Sequence, residues 1–562
     1  MQPAAAMEPP VSQAASSAGV MRVTPSGKAA AAMTALWLTC TAVLLFWNLD
    51  YYPFWGDEAD TVIFARNVWE TGDVGAKYGD NLYLYRNGIL LENLKNRSTP
   101  PLSYYFAAPF WGLVGADHFW LRFPFAICGL ATIALLCGWL RRSRASTLTW
   151  LCFGGALTFN VSLLLYARQC RYYSLATLLT VGIAYLYYHF EGRRSRVIAI
   201  SGLLCLLAAT HYLHFAALAA ALVVDYAFWQ RRQYPLKFSD WGWLLTPVLI
   251  TVAGLAAVFN PLGRNSLNHD MTGNFFADKW KLFVWSFRDM NICEFGVGVI
   301  ILCAPLVAYR RGDQNMLRLF AACLTYIIAT TLLSPQPMAY AIDADIRYLA
   351  PLVIPCLYLT VRTIDLALAG RVQFVVPVVL LALGTNILNL PFAHHRWRST
   401  IGDFVQELHS PRLVAGKIVS DWLKKNVPPG TPVWIEPTEY TAEQIVETPH
   451  VLYAWQLDRA MLPQRHARQF AALPRANFAA EVPVEYIIAF GLGDTIQNVF
   501  TYVVPHMADR GYYYDHIDRL DTFFDDRTRA ELHWHWFRNQ PYDKTKESIS
   551  VFRLRQPSTQ SP

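Results

Sequence analysis

Runs of about 20 mostly apolar residues recur along the first two thirds of the chain, and that is the length a bilayer-crossing helix needs. They lie near 30–49, 122–140, 146–165, 172–190, 197–212, 213–230, 242–260, 293–309, 316–334, 348–364 and 372–391. The polar segments between them carry Lys and Arg unevenly. One set of loops holds Arg22 and Lys28, then Arg141, Arg142 and Arg144, then Arg193, Arg194 and Arg196. It continues with Arg231, Arg232 and Lys237, then Arg310 and Arg311, and finally Arg362 and Arg371. If there are eleven spans, every one of these clusters falls on the same side, and the positive-inside bias makes that side the cytoplasm. The opposite side then holds a long first loop, 50–121, a short turn at 166–171, loops at 261–292 and 335–347, and the tail. Within the first loop Leu102–Gly115 is apolar but too short to span, and it follows Pro100-Pro101. It is expected to lie along the interface.

Three regions follow from this pattern. Residues 1–28 are rich in Ala, Pro and Ser and read as a disordered cytoplasmic tail. Residues 29–391 form the membrane domain. Its first apolar run, Ala29–Leu49, ends without an Ala-x-Ala type cleavage site and is expected to be a retained span. Residues 392–562 change character, with strand-like runs at Pro432–Ile435, Glu485–Phe490 and Ile549–Arg553 and a helix over Ser420–Asn426 before the Pro428-Pro429-Gly430 turn. The expected architecture is a polytopic α-helical membrane protein with a small C-terminal α/β extracytoplasmic domain.

Composition agrees with lipid as the main solvent. Only 16% of residues are charged and 54% are hydrophobic, whereas a soluble domain is about one quarter charged. Aromatic residues, 14% of the chain, suit interfacial belts. The net charge of +7 resides in loop arginines, and no basic run with interleaved aromatics suggests nucleic acid. The ten cysteines lie between Cys40 and Cys356, so the exported tail has no disulfide framework.

The candidate chemistry gathers on the outer side. Trp55-Gly56-Asp57-Glu58-Ala59-Asp60 opens an amphipathic stretch just after the first span. Acids there can cap a helix, but carboxylates at a membrane surface are also functional candidates. Asp57 is suited to act as a general base toward a hydroxyl. Arg66, Arg122, Arg168, Arg171 and Arg347 stand on the same side, against the positive-inside bias. Snorkelling to head groups would account for each singly, whereas a convergent set is suited to phosphate through the planar fork of donors. His211 and His214 lie at another outer span end, at i, i+3. As a metal pair they lack a third ligand, so interfacial hydrogen bonding is the stronger expectation. Lys279 and Tyr348 are further substrate-binding candidates. No cofactor is firmly implied, and a divalent metal has no support.

The order and sidedness of these elements resemble the GT-C glycosyltransferases, specifically the bacterial branch similar to protein O-mannosyltransferases and lipid A aminoarabinose transferases. The resemblance rests on the Asp57-Glu58 pair, Pro-Pro-Leu-Ser-Tyr-Tyr at 100–105 and Arg122 before the second span. It rests also on Ala-Arg-Gln-Cys-Arg-Tyr-Tyr-Ser-Leu at 167–175 and Arg-Tyr-Leu-Ala-Pro at 347–351, and it covers roughly residues 30–390. It implies that Asp57, with Glu58 beside it, is catalytic, and that Arg66, Arg168, Arg171 and Arg347 hold a carrier phosphate. The luminal sugar-binding repeats of eukaryotic mannosyltransferases are absent from the sequence. Arg171-Tyr172-Tyr173 stands where aminoarabinose transferases carry Leu-Asp-Pro, so neither substrate transfers to this chain.

The function this implies is transfer of a sugar from a polyprenyl-phosphate donor to a lipid, glycan or protein acceptor by one inverting displacement. The expected partners are that donor, its acceptor and membrane lipids, with no nucleic acid. The expected location is a bacterial inner membrane, with the N-terminus cytoplasmic and the active site and C-terminal domain periplasmic. Two other classes stay open: a multi-span transporter or flippase, which would favour repeated halves and broken mid-membrane helices, and a non-catalytic envelope assembly protein.

Overall fold

The computed structural model describes residues 23–83, 91–92, 94–259, 274–293, 297–334, 346–387, 397, 399–411, 414–436, 441–453, 483–490, 501, 507–522 and 547–555. The expected disordered tail therefore lies almost wholly outside the described residues.

Helices dominate. α1 (Gly27–Phe46) leads into the first long loop, which carries α2 (Gly56–Thr71) and α3 (Leu102–Val114). There follow α4 (His118–Arg142), α5 (Thr147–Thr158), α6 (Val161–Ala167), α7 (Tyr172–Tyr188), α8 (Arg194–Thr210) and α9 (Tyr212–Asp225). A π turn, Tyr226–Gln230, carries α9 into α10 (Arg231–Gln233). α11 (Phe238–Val258), α12 (Phe275–Cys293), α13 (Val297–Arg311), α14 (Gln314–Leu333), α15 (Ala350–Ala367) and α16 (Val372–Gly384) complete the bundle. Several starts are written in the sequence as side-chain caps, which satisfy orphan N–H groups of the first turn. Ser26 accepts from Ala29, Asp117 from Trp120, Ser146 from Thr149, Asn160 from Leu163 and Asp313 from Met316.

Each of the predicted apolar runs falls on a helix, but the count of eleven spans is not reached by length and apolarity. Among the described residues six helices are long and apolar enough to cross a membrane, or seven if α5 and α6, bent by 50° at Phe159-Asn160, form one span. α7 and α8 have 17 residues each, α13 has 15 and α16 has 13. The long helices make this an integral membrane protein. α11 is only 6% buried over its apolar window, with Leu249, Ile250 and Val252 exposed, as a lipid-facing helix would be. The apolar segment of the first loop forms α3, 13 residues long, packed on α2.

Beyond the bundle come α17 (Thr400–His409), α18 (Ala415–Asn426) and α19 (Thr441–Glu447). With them is a five-stranded sheet of β5 (Pro432–Glu436), β6 (Val451–Tyr453), β7 (Tyr486–Phe490), β8 (Tyr514–Thr522) and β9 (Glu547–Leu554), in the order β6-β5-β7-β9-β8. The first loop adds two small hairpins, β1 (Lys77–Tyr78) with β2 (Asn81–Leu82) and β3 (Leu91–Glu92) with β4 (Lys95–Asn96). β5 pairs in parallel with β6 and β7, and β9 runs antiparallel to β7 and β8. The predicted strands correspond to β5, β7 and β9. One apolar cluster joins this part to the first loop: Phe54, Ala59, Ile63 and Leu121 pack with Val419, Leu423, Ile435 and Ile445. The first loop is therefore held between the bundle and the C-terminal sheet.

Candidate active site

The site begins at the start of α2. Trp55 is the N-cap and makes no side-chain cap, so Asp57 and Glu58 in the first turn face a helix end whose dipole favours negative charge. Adjacent helical positions diverge by about 100°, and these two carboxylates have different fates.

Glu58 turns inward and is 1% exposed. Arg122 grips it with Nε at 2.8 Å and Nη2 at 2.7 Å, and the Cys170 amide donates to it at 2.7 Å. The same guanidinium donates to the carbonyls of Leu49, Tyr52 and Pro53. Glu58 was expected in catalysis and Arg122 in substrate binding. Instead the two saturate each other in the interior and tie α4 to the strap between α1 and α2.

Asp57 stays partly accessible, its side chain 27% exposed. Arg171, at the N-cap of α7, and Arg347, in the turn before α15, each approach the same oxygen, Oδ2, at 3.5 Å. Arg171 is anchored by bonds to the Asp57 carbonyl at 2.7 Å and Thr61 Oγ1 at 3.3 Å. Three distant segments thus meet at one end of the bundle. The long ion pairs contrast with the tight, buried Glu58–Arg122 fork.

The other predicted cations lie elsewhere. Arg168 is buried and donates to the carbonyls of Leu44, Leu45, Trp47 and Asn48, closing the C-terminus of α1. Such a guanidinium has its fork filled by backbone. Arg66 pairs with Glu70 at 2.8 Å and stacks over Tyr78 and Trp111, on another face of α2. Lys279 donates to the Ser334 carbonyl at 2.6 Å, at the end of α14.

An aromatic wall flanks the carboxylate. Tyr172 stacks on His211 with centroids 4.3 Å apart, and Tyr348 lies 6.0 Å from the same imidazole. Arg171 lies over Tyr172 and Arg347 over Tyr348. His211 caps α9, its Nδ1 accepting from the His214 amide. His214 is fully buried, 2.8 Å from the Tyr326 hydroxyl, and supports the wall from behind. Sequence reasoning missed Tyr172 and Tyr326. For Tyr172 a signal existed: Arg171-Tyr172 and Arg347-Tyr348 repeat one dipeptide at two helix mouths. Among the described residues no three His, Cys, Asp or Glu side chains gather as a metal site would require.

No family model matches the sequence, and no curated protein matches it. Solved structures do. A structure of ArnT from Cupriavidus metallidurans bound to undecaprenyl phosphate aligns with a TM-score of 0.54 at 13% identity, over 93% of this chain and 98% of that one. ArnT in the apo state gives 0.52 over the same shares. The fold is that of the GT-C glycosyltransferases. The oligosaccharyltransferase AglB from Archaeoglobus fulgidus is more distant, with a TM-score of 0.46 at 11% identity, over 82% of this chain and 69% of that one. In this chain the loop after the first helix contributes α2 and α3, and α19 of the C-terminal part packs on α2.

Proposed function

We propose that this chain is an integral-membrane glycosyltransferase that takes a sugar from a polyprenyl-phosphate donor and passes it to a lipid, glycan or protein acceptor on the extracytoplasmic side. The observation that carries the reading is the convergence of Arg171 and Arg347 on Asp57. A carboxylate and two guanidinium groups on one face can serve a sugar phosphate at both ends of its breaking bond. The undecaprenyl phosphate held by ArnT, which shares the fold, supports the choice of carrier.

In this mechanism the donor phosphate draws the two arginines away from Asp57. Their charge stabilises the phosphate as the C1–O bond breaks, which is where transition-state charge develops. Asp57, released from its ion pairs, accepts the proton of the acceptor hydroxyl. The hydroxyl attacks C1 from the face opposite the phosphate, the phosphate leaves, and the anomeric configuration inverts. Tyr172, His211 and Tyr348 flank the sugar ring. Glu58, Arg122 and Arg168 hold the scaffold and touch no substrate.

Purified protein incubated with labelled polyprenyl-phosphate sugars and membrane extract, followed by mass analysis, tests the reading. A product heavier than its acceptor by one sugar residue is expected. Solute uptake into proteoliposomes without any glycosidic product would favour a transporter instead.

A further inference from the structure

The strap between α1 and α2, residues 47–55, sets where Asp57 stands, because α2 begins at Gly56. Much of that strap is held through its carbonyls from within the bundle, by Arg168 at Trp47 and Asn48 and by Arg122 at Leu49, Tyr52 and Pro53. Further ties come from the far end of the chain. Asn48 donates to the Leu408 carbonyl at 2.7 Å, and the Tyr52 hydroxyl donates to Glu407 at 2.7 Å, both on α17. Another is Glu447, at the end of α19. Its Oε1 accepts from His118 Nε2 at 2.6 Å and from the Phe54 amide at 3.4 Å, three residues before Asp57. Phe54 stacks on His118 with centroids 4.5 Å apart, and the Arg122 guanidinium lies over the Phe54 ring at 5.0 Å from its centroid. Glu447 is 9% exposed by side chain, so its interactions are made in a nearly dry seam between α19, α2 and the start of α4.

We infer that the C-terminal part of the chain takes part in the transfer reaction through Glu447, a positioning residue that locks the strap and thereby aims Asp57. The inference rests on the transferase reading above and extends it: α17 and α19 of the C-terminal part clamp the strap that leads into the catalytic helix. Loss of the clamp frees the Phe54 amide and the His118 ring together, and the first turn of α2 has no side-chain cap of its own to hold it. A catalytic group displaced by about 1 Å costs on the order of 100-fold in rate, so a small loosening is measurable.

The test uses the full chain in detergent or nanodiscs, with Glu447→Ala, Glu447→Gln and Tyr52→Phe. For Glu447→Ala, kcat per folded molecule is expected to fall by about tenfold or more with donor KM changed by less than about twofold. Glu447→Gln, which keeps an acceptor oxygen for His118 and Phe54, should recover part of the loss. Tyr52→Phe, which removes one tether without opening the core, should give a smaller fall in kcat of the same kind. Hydrogen exchange should quicken over residues 48–60 in Glu447→Ala and stay unchanged in α14. Unchanged kcat per folded molecule, or unchanged exchange over 48–60, overturns the inference. Wild-type protein with no transfer from any polyprenyl-phosphate sugar would overturn the function instead, and the exchange result would still decide the clamp.

Discussion

Asp57 and Arg347 are 290 positions apart in sequence, and Oδ2 of the first lies 3.5 Å from Nη1 of the second. Arg171 stands at the same distance from the same oxygen. One residue away, Glu58 and Arg122 meet at 2.7 Å in the interior. The two pairs share chemistry and differ in consequence. A fork closed at hydrogen-bond length inside the protein is committed to structure. A partly exposed carboxylate loosely faced by two guanidinium groups can release them to a phosphate and become a base.

Asp57→Asn should therefore abolish transfer without unfolding the protein. Asparagine fits the same volume and can still meet Arg171 and Arg347 through its carbonyl oxygen, but it cannot take a proton. The rate should fall by about 10²- to 10⁴-fold, the usual scale of general-base loss. Product formation is measured by mass analysis, with size exclusion confirming that the variant stays folded. Transfer at the wild-type rate would remove the base role.

The arginines divide into two classes that mutation separates. Arg347→Ala should raise the donor concentration needed for half-maximal rate by about tenfold, the worth of roughly 1.4 kcal/mol of phosphate contact, with little change in thermal stability. Arg168→Ala should do the reverse. It leaves the carbonyls of Leu44, Leu45, Trp47 and Asn48 without their donor, the first two bonds buried and the others partly so, and an unsatisfied buried carbonyl costs about 1–3 kcal/mol. Thermal unfolding and donor titration of both variants check the division. An Arg168 variant with normal stability and a raised donor KM would return that residue to the phosphate site.

This division marks how far the sequence could be read. The apolar runs and the gathering of Asp57, Arg171 and Arg347 were legible because each depends on local pattern or on charge placement along the chain. What was not legible is where a side chain turns at a helix end. Arg168 and Arg171 sit in one short turn with the same chemistry and exposure to the same loop. Only the packing of α1 decides that the first closes a helix C-terminus and the second reaches Asp57. Glu58 and Asp57 differ by one step of about 100° on α2, which a linear pattern does not orient until the interior is known. α13 and α16, with 15 and 13 residues, are shorter than the apolar runs 293–309 and 372–391 that predicted them. β8 was missed because acids interrupt its alternation at Asp515, Asp518 and Asp521, as suits a sheet edge.

The aromatic wall gives a third prediction. His211 touches Tyr172 and lies near Tyr348, each the neighbour of one of the two arginines at Asp57. His211→Ala should weaken binding of the sugar-bearing donor by about three- to tenfold, the scale of one lost aromatic or imidazole contact. Binding of the polyprenyl phosphate alone should stay the same, because the arginines are untouched. Competition between the two lipids measures the difference. Equal weakening of both would place His211 against the carrier and not the sugar.

The last prediction concerns the first loop and pH. Asp73, just after α2, accepts from both ends of the Arg97 guanidinium at 2.8 and 2.7 Å and from Lys95 at 2.7 Å. The Arg97 hydrogen bonds, opposed by burial and aided by Lys95 and the Val74 amide, hold its carboxyl well below the usual range. A group whose folded pKa is depressed contributes stability that is full above its unfolded pKa, about 3.9, and drains away as pH falls toward the folded value. Asp73→Asn should accordingly lower the thermal midpoint at about pH 7, and the gap from wild type should narrow as pH falls below about 4, where the wild-type carboxyl begins to protonate on unfolding. Thermal unfolding of both proteins across that range reads the effect. A gap that stays constant with pH would mean the Asp73 cluster stabilises the loop through shape, with no contribution from its charge.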